Sequence, residues 1–244
     1  MRKLLLIFIV ISIVAIGLTT QFLNNESPNA PKAVAGVIDL RQYDLHENTV
    51  SLDGEWDFIP NKLLNYSEID TYHSYLVNVP SLWSRYKLDD QTFTSLGSGT
   101  YRLKVLINHT DAILGIKTGN IRMSNAIYIN EKRIGQSGEP AEDSTYVQQN
   151  VPYVAYFSPD KDELEIIIHV ANFDYASGGG IIGSVFIGDQ ESIGKLRESS
   201  LFYDLITIAA FFTMFIYFAG SYLYAKLEIE QLYFSLFCFM VGLY

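Results

Sequence analysis

Cysteine is nearly absent: Cys238 is the only one in 244 residues. An internal disulfide and a multi-cysteine metal site are therefore both excluded. Histidine is scarce too, and His46, His73, His109 and His169 show no metal-ligand spacing. Basic residues are few, with 17 Lys and Arg against 27 Asp and Glu, for a formal net charge of −10. Such a chain has no general attraction to nucleic acid or to anionic lipid headgroups. The whole deficit lies between Asn24 and Ser200, where 14 Lys and Arg face 24 Asp and Glu. Its plain reading is solubility. No G-x-S-x-G surrounds a serine, and Gly135-Gln136-Ser137-Gly138 has the wrong pattern.

What the sequence does have is apolar runs at both ends. Leu205 to Tyr224 carries no charge and as a helix reaches ~30 Å, about the thickness of a bilayer core. Met1-Arg2-Lys3 followed by Leu4 to Leu23 reads equally as a signal peptide or as a membrane anchor. Either way Arg2 and Lys3 stay inside and the following segment is exported, so residues 24–200 are expected outside the cell. A final apolar stretch, Leu232 to Tyr244, is too short to span at ~1.5 Å per residue. It is expected to be the start of a further, truncated membrane helix in a multi-pass protein.

Between these ends the pattern is that of short strands. Residues 24–36, with Pro28 and Pro31, read as a linker, and residues 37–189 as one domain. Tyr101, Leu103, Val105 and Ile107 alternate with Arg102 and Lys104, and Leu164, Ile166, Ile168 and Val170 share one face. Ser124 to Ile129 and Arg133 to Gln136 flank a polar turn, predicting a hairpin. Further strands are predicted at Val37–Leu40, Glu55–Ile59, Ser74–Val79, Ala112–Lys117, Tyr153–Phe157 and Ile181–Ile187. About nine strands with polar loops predict a mainly β fold built as a two-sheet sandwich. Only Asn61 to Ile69 reads as helical. Residues 190–200 are a charged segment without proline, predicted to be a connecting helix that continues into a membrane helix at 201–225. Gly194 weakens that helix by ~1 kcal/mol relative to alanine.

Gly178-Gly179-Gly180-Ile181-Ile182-Gly183 fits G-x-G-x-x-G, but β-branched residues follow where a phosphate-binding helix would be needed. The glycines read as a loop at a sheet end, and no cofactor is expected. Asn172, Asp174 and Tyr175 beside that loop are candidate ligand contacts, as is Trp83, whose ring is a candidate sugar platform. For Trp56 and Trp83 alike, the core is the competing place. Asp53, Glu55 and Asp57 alternate, which aims all three to one side; they read as solvated charges beside a buried Trp56 rather than a hydrolytic pair. No residue is put forward as catalytic.

Several motifs occur in a recognisable order: Leu52-Asp53-Gly54-Glu55-Trp56-Asp57-Phe58, Val79-Pro80-Ser81-Leu82-Trp83, Gly99-Thr100-Tyr101-Arg102-Leu103, and Ala126 to Asn130 with Gly135 and Gly138. They resemble the galactose-binding-like jelly roll, as in the sugar-binding domain of β-galactosidase-type hydrolases. Ile187-Gly188, Ile193 to Arg197, the apolar span and Tyr233 to Cys238 resemble bacterial seven-transmembrane receptors with diverse intracellular signalling modules. That resemblance implies an extracellular jelly-roll sensor and a histidine kinase or diguanylate cyclase output; a small-molecule or carbohydrate ligand, the lipid bilayer and a homodimeric second copy are the expected partners. The output and most of the helices have no counterpart in this sequence, which implies an N-terminal fragment without enzymatic activity of its own. The competing expectations are a membrane-anchored remnant of a carbohydrate-active enzyme and an extracellular protein-docking module.

Overall fold

The computed structural model describes residues 30–46, 48–89, 91–225 and 229–243. The leader or anchor expected at residues 1–23 lies outside the described residues, as does the first part of the linker. The described chain falls into two compact units, residues 30–194 and residues 195–225 with 229–243.

The first unit begins with β1 (Val37–Asp39), β2 (Val50–Ser51), β3 (Gly54–Pro60), β4 (Tyr75–Val79), β5 (Lys87–Leu88) and β6 (Gln91–Thr92). It continues with β7 (Gly97–Leu106), β8 (Leu114–Lys117), β9 (Ile121–Arg122), β10 (Ser124–Ile129) and β11 (Lys132–Ser137). The last strands are β12 (Val154–Phe157), β13 (Glu163–Asn172), β14 (Gly180–Ile181) and β15 (Phe186–Asp189). A larger sheet runs β11-β10-β13-β7-β3-β4, with β1 parallel to β7, and a smaller one runs β12-β8-β15-β2. All other pairings in these two sheets are antiparallel.

Strands β7 and β13 form the spine. They pair over all ten residues, from Gly97 opposite Asn172 to Leu106 opposite Glu163. At ~3.4 Å per residue the pair is roughly 30 Å long, which separates the two ends of the unit. Period-2 alternation sends Leu103 and Val105 of β7 and Leu164, Ile166, Ile168 and Val170 of β13 inward, all fully buried. They meet Leu114 and Ile116 of β8 and Ile187 of β15 in one apolar core, so the two sheets make a sandwich. Each such side chain removed from water contributes ~1.5–3 kcal/mol.

The outer face of β13 is buried as well, because residues 61–74 cross it as a strap. Leu64 and Ile69 pack there against Ile59 and Ile167. The strap is pinned by polar contacts: Leu64 N–H donates to Thr100 Oγ1 (3.0 Å) and Leu63 N–H to Glu142 Oε1 (2.8 Å). Arg102, half under the strap, lies 2.7 Å from Asp70 and 2.6 Å from Glu165. This corrects the expected helix at Asn61–Ile69. Asn61 is left-handed at φ 58°, and only Ile69–Thr71 closes, as a 3-10 turn. Three further expectations change. The linker ends earlier, since Ala33 is buried and bridges Gly54, with Ala33 N–H donating to Asp53 O (2.8 Å). The strand expected at Ile181–Ile187 splits into β14 and β15, because Ile182 and Gly183 N–H groups both turn to Asn120 O. The described residues form fifteen strands rather than about nine, five of them only two residues long. The predicted hairpin is β10–β11, turning at Asn130 and Glu131 with φ 45° and 73°, the geometry of a two-residue hairpin turn. Glu55 and Asp57 do share a face of β3 opposite Trp56 and Phe58, whereas Asp53 precedes the strand and accepts from Ser184 Oγ (3.0 Å).

Residues 190–200 are helical, and the helix does not stop there: α1 is Gln190–Ala225, one unbroken element. It starts one residue after β15, where Asp189 Oδ1 accepts from Ser192 N–H (2.7 Å) as an N-cap. Helix α2 is Ile229–Leu243. In the second unit α1 and α2 meet through Phe212 and Phe215 against Phe239 and Phe218 against Phe234. Among the described residues α1 is the one helix long and apolar enough to cross a membrane. Leu205, Ile216 and Leu223 on it are 62–70% exposed.

Candidate functional site

The glycine-loop end of the spine holds the four candidate ligand contacts, Asn172, Asp174, Tyr175 and Trp83. Asn172 closes β13 with its side chain fully buried. Its Nδ2 donates to Ser95 O (2.8 Å) and Tyr175 O (2.9 Å), while Oδ1 accepts from Tyr175 N–H (3.0 Å). The amide therefore builds the turn that presents Asp174 and Tyr175; it is a positioning residue, not an exposed contact.

Trp83 is a correction of a different kind. Its ring is completely buried and offers no face for a sugar to stack on. The glycine loop is laid over it: a Cβ on Gly179 would stand 2.5 Å from Trp83 Cε3, and one on Gly178 2.7 Å from Leu82 Cδ2. Gly178 and Gly180 also hold φ of 137° and 111°, which other residues avoid. Backbone bonds seal the contact, Trp83 N–H to Gly179 O (3.0 Å) and Gly179 N–H to Ser95 O (3.2 Å). Below, the indole packs on Phe58 and Phe93 and donates Nε1–H to Tyr101 Oη (2.7 Å), which lies 3.1 Å from Tyr86 Oη. Burial raises both phenols above their ordinary pKa, so these hydroxyls stay protonated and serve packing.

Asp174 and Tyr175 are exposed. Tyr146 Oη donates to Asp174 Oδ2 (2.7 Å), and the Tyr146 ring packs on Phe173 at 5.4 Å. Partial burial first, and then Asp174, push the Tyr146 phenol up. The Arg122 guanidinium sits 4.8 Å from the Tyr175 ring centroid, a cation–π contact. The surface here is thus a tyrosine ring, a guanidinium and a carboxylate side by side, held by buried Asn172 and Tyr146. Arg122 and Tyr146 were missed from the sequence, because both come from segments remote in the chain and neither carries a local motif.

One buried histidine serves the strap. His169 Nε2 lies 2.8 Å from Leu64 O. Burial lowers its pKa, against the Leu64 carbonyl and Glu142, which raise it. Among the described residues no group of three or more His, Cys, Asp or Glu side chains could hold a metal. The G-x-G-x-x-G segment contains β14 and is followed by β15, not by a helix.

No family model matches the sequence, and no curated protein does. Similar solved structures include a β-glucuronidase from an uncultured Clostridium species, at 16% identity and TM-score 0.45, covering 58% of this chain and 29% of that one. A β-galacturonidase from Eisenbergiella tayi bound to galacturonate gives 14% identity and TM-score 0.41, covering 62% and 26%. The β-glucuronidase of Ruminococcus gnavus gives 14% and 0.44, covering 58% and 29%. The chain spans less than a third of the length of each.

Proposed function

We propose that this chain is the sensory, ligand-binding portion of a bacterial membrane receptor, not an enzyme. The sandwich, read as a galactose-binding-like jelly roll, stands outside the cell, and α1 carries the chain into the bilayer. One observation carries this reading: the first turn of α1 belongs to the sandwich. Ile193 is fully buried beside Gly115 of β8, Ser192 Oγ donates to His46 O (3.0 Å), and Asp189 caps the helix. The same helix then runs uncharged from Leu205 to Tyr224. A cleaved or tethered domain needs only a flexible stalk; a helix rooted in the fold transmits displacement. A ligand shifts such a helix only by its difference in affinity for two states.

A carbohydrate is the ligand class that fits the Arg122–Asp174–Tyr175 surface. Its exposed aromatic ring suits the C–H face of a sugar, and the carboxylate and guanidinium suit hydroxyls. The test is a glycan array and thermal-shift screen on the full chain in detergent micelles. A sugar that raises the melting temperature, and no longer does so in Tyr175→Ala, supports the reading. If no sugar does so, the carbohydrate assignment fails, while the receptor reading is tested separately by topology.

A further inference from the structure

We infer that the opposite end of the spine holds a second binding site, for a small aliphatic amine. A cleft of about 350 Å³ opens there between residues 40–46, residues 107–110 and the root of α1. That volume suits a small molecule. Its apolar floor is offered by half-buried Tyr43 and Leu45, above the buried Leu40, Ile107 and Leu114. Its polar wall carries two carboxylates, Asp44 and Asp189, with Arg41 and the imidazoles of His46 and His109 beside them.

The single arginine in the wall is already neutralised. Arg41 Nε donates to Asp39 Oδ1 (2.9 Å) and Nη2 to Asp39 Oδ2 (2.6 Å), a bidentate pair that holds the Asp39 carboxyl down at about 2. Each wall carboxylate has one oxygen engaged by the backbone: Asp44 Oδ1 accepts from His46 N–H (2.8 Å), and Asp189 Oδ1 from Ser192 N–H (2.7 Å). A carboxylate accepts about four hydrogen bonds, so capacity for an ammonium remains on both. His46 Nδ1, 3.6 Å from Asp189 Oδ2, is the neighbouring imidazole. An alkyl chain on the floor with an ammonium at the wall satisfies both chemistries. An anion meets two carboxylates, and a neutral diol leaves the charge unmatched.

The cleft wall is also what grips the helix. Asp189 N–H donates to Leu45 O (3.0 Å) and Ser192 Oγ to His46 O (3.0 Å). The amine site stands by itself; only a relay from it into α1 rests on the receptor reading.

The test is calorimetric titration of the full chain in maltoside micelles with putrescine, against 1,4-butanediol as its neutral counterpart. Putrescine should bind saturably and butanediol should not. Asp44→Asn keeps the acceptor for His46 N–H and should weaken putrescine about tenfold, the scale of a lost charged hydrogen bond. Gln42, exposed in the same wall, gives an independent pair: Gln42→Lys should abolish binding and Gln42→Glu should tighten it. An absence of saturable binding overturns the proposal. So does an equal response to butanediol, or indifference of putrescine to the two Gln42 variants. Since binding is read directly, these outcomes are independent of any signalling assay.

Discussion

The two ends of the β7–β13 spine solve opposite problems. At the glycine-loop end the interior is closed: three glycines lie over Leu82 and Trp83, the indole N–H is satisfied by Tyr101, and Asn172 uses its amide on its own turn. Asp174 and Tyr175 face outward on this turn, with the half-buried Arg122 against the Tyr175 ring. At the helix-root end the surface is cut by a cleft beside the loop that holds α1. One end fixes a surface rigidly; the other joins a second element to the fold.

That contrast is easiest to break at the closed end. Trp83→Ala should remove ~3–5 kcal/mol, as large aromatic truncations in cores do, and so lower the melting temperature by about 10 °C or more. A shift of a degree or two in differential scanning fluorimetry would show that the glycine loop does not depend on the indole. Tyr101→Phe is the subtler version. It strands the buried Trp83 Nε1–H, at a cost of about 1–3 kcal/mol.

The open end should respond less. Asp189→Ala removes the N-cap and is expected to cost ~1 kcal/mol, with Asp189→Asn close to neutral because Asn also caps. Hydrogen exchange at residues 190–194 should rise in the alanine variant alone; equal protection in both would remove the cap from the account. Between the ends, His169 adds a pH dependence. Burial depresses its folded pKa below the unfolded value near 6.5, so the unfolded state takes up the proton first. Stability is therefore fully present above about pH 6.5 and declines as pH falls below it. Melting curves of His169→Gln should lose that part of the slope. The smallest effect is expected at the surface: Tyr175→Ala should change stability by less than ~0.5 kcal/mol while removing sugar binding.

Much of the fold was legible because period 2 is a strong signal where one face is buried. The inward rows of β7 and β13 and the β10–β11 hairpin lie where alternation and turn chemistry put them. The continuation of residues 190–200 into the apolar helix was equally readable, since nothing between them breaks a helix. Legibility failed where long-range contacts decide. The Asn61–Ile69 stretch has helical composition, yet Thr100, Glu142 and Arg102 pull it flat across β13 as a strap. Trp83 and the glycines both stand out in the sequence, but a sequence does not show that one roofs the other. The Arg122–Tyr175 contact and the cleft walls join segments distant in the chain, so no local pattern announces them.

The central claim is that the sandwich is exported and rooted in a membrane helix. The near-absence of cysteine makes it directly testable, because Cys238→Ser leaves a background with no thiol. In that background, Ser177→Cys places one thiol on the exposed turn two residues after Tyr175. Treating intact bacterial cells expressing the full chain with a membrane-impermeant maleimide should label this cysteine at once, without lysis. Labelling that occurs only after the membrane is broken would put the sandwich inside the cell and contradict the account.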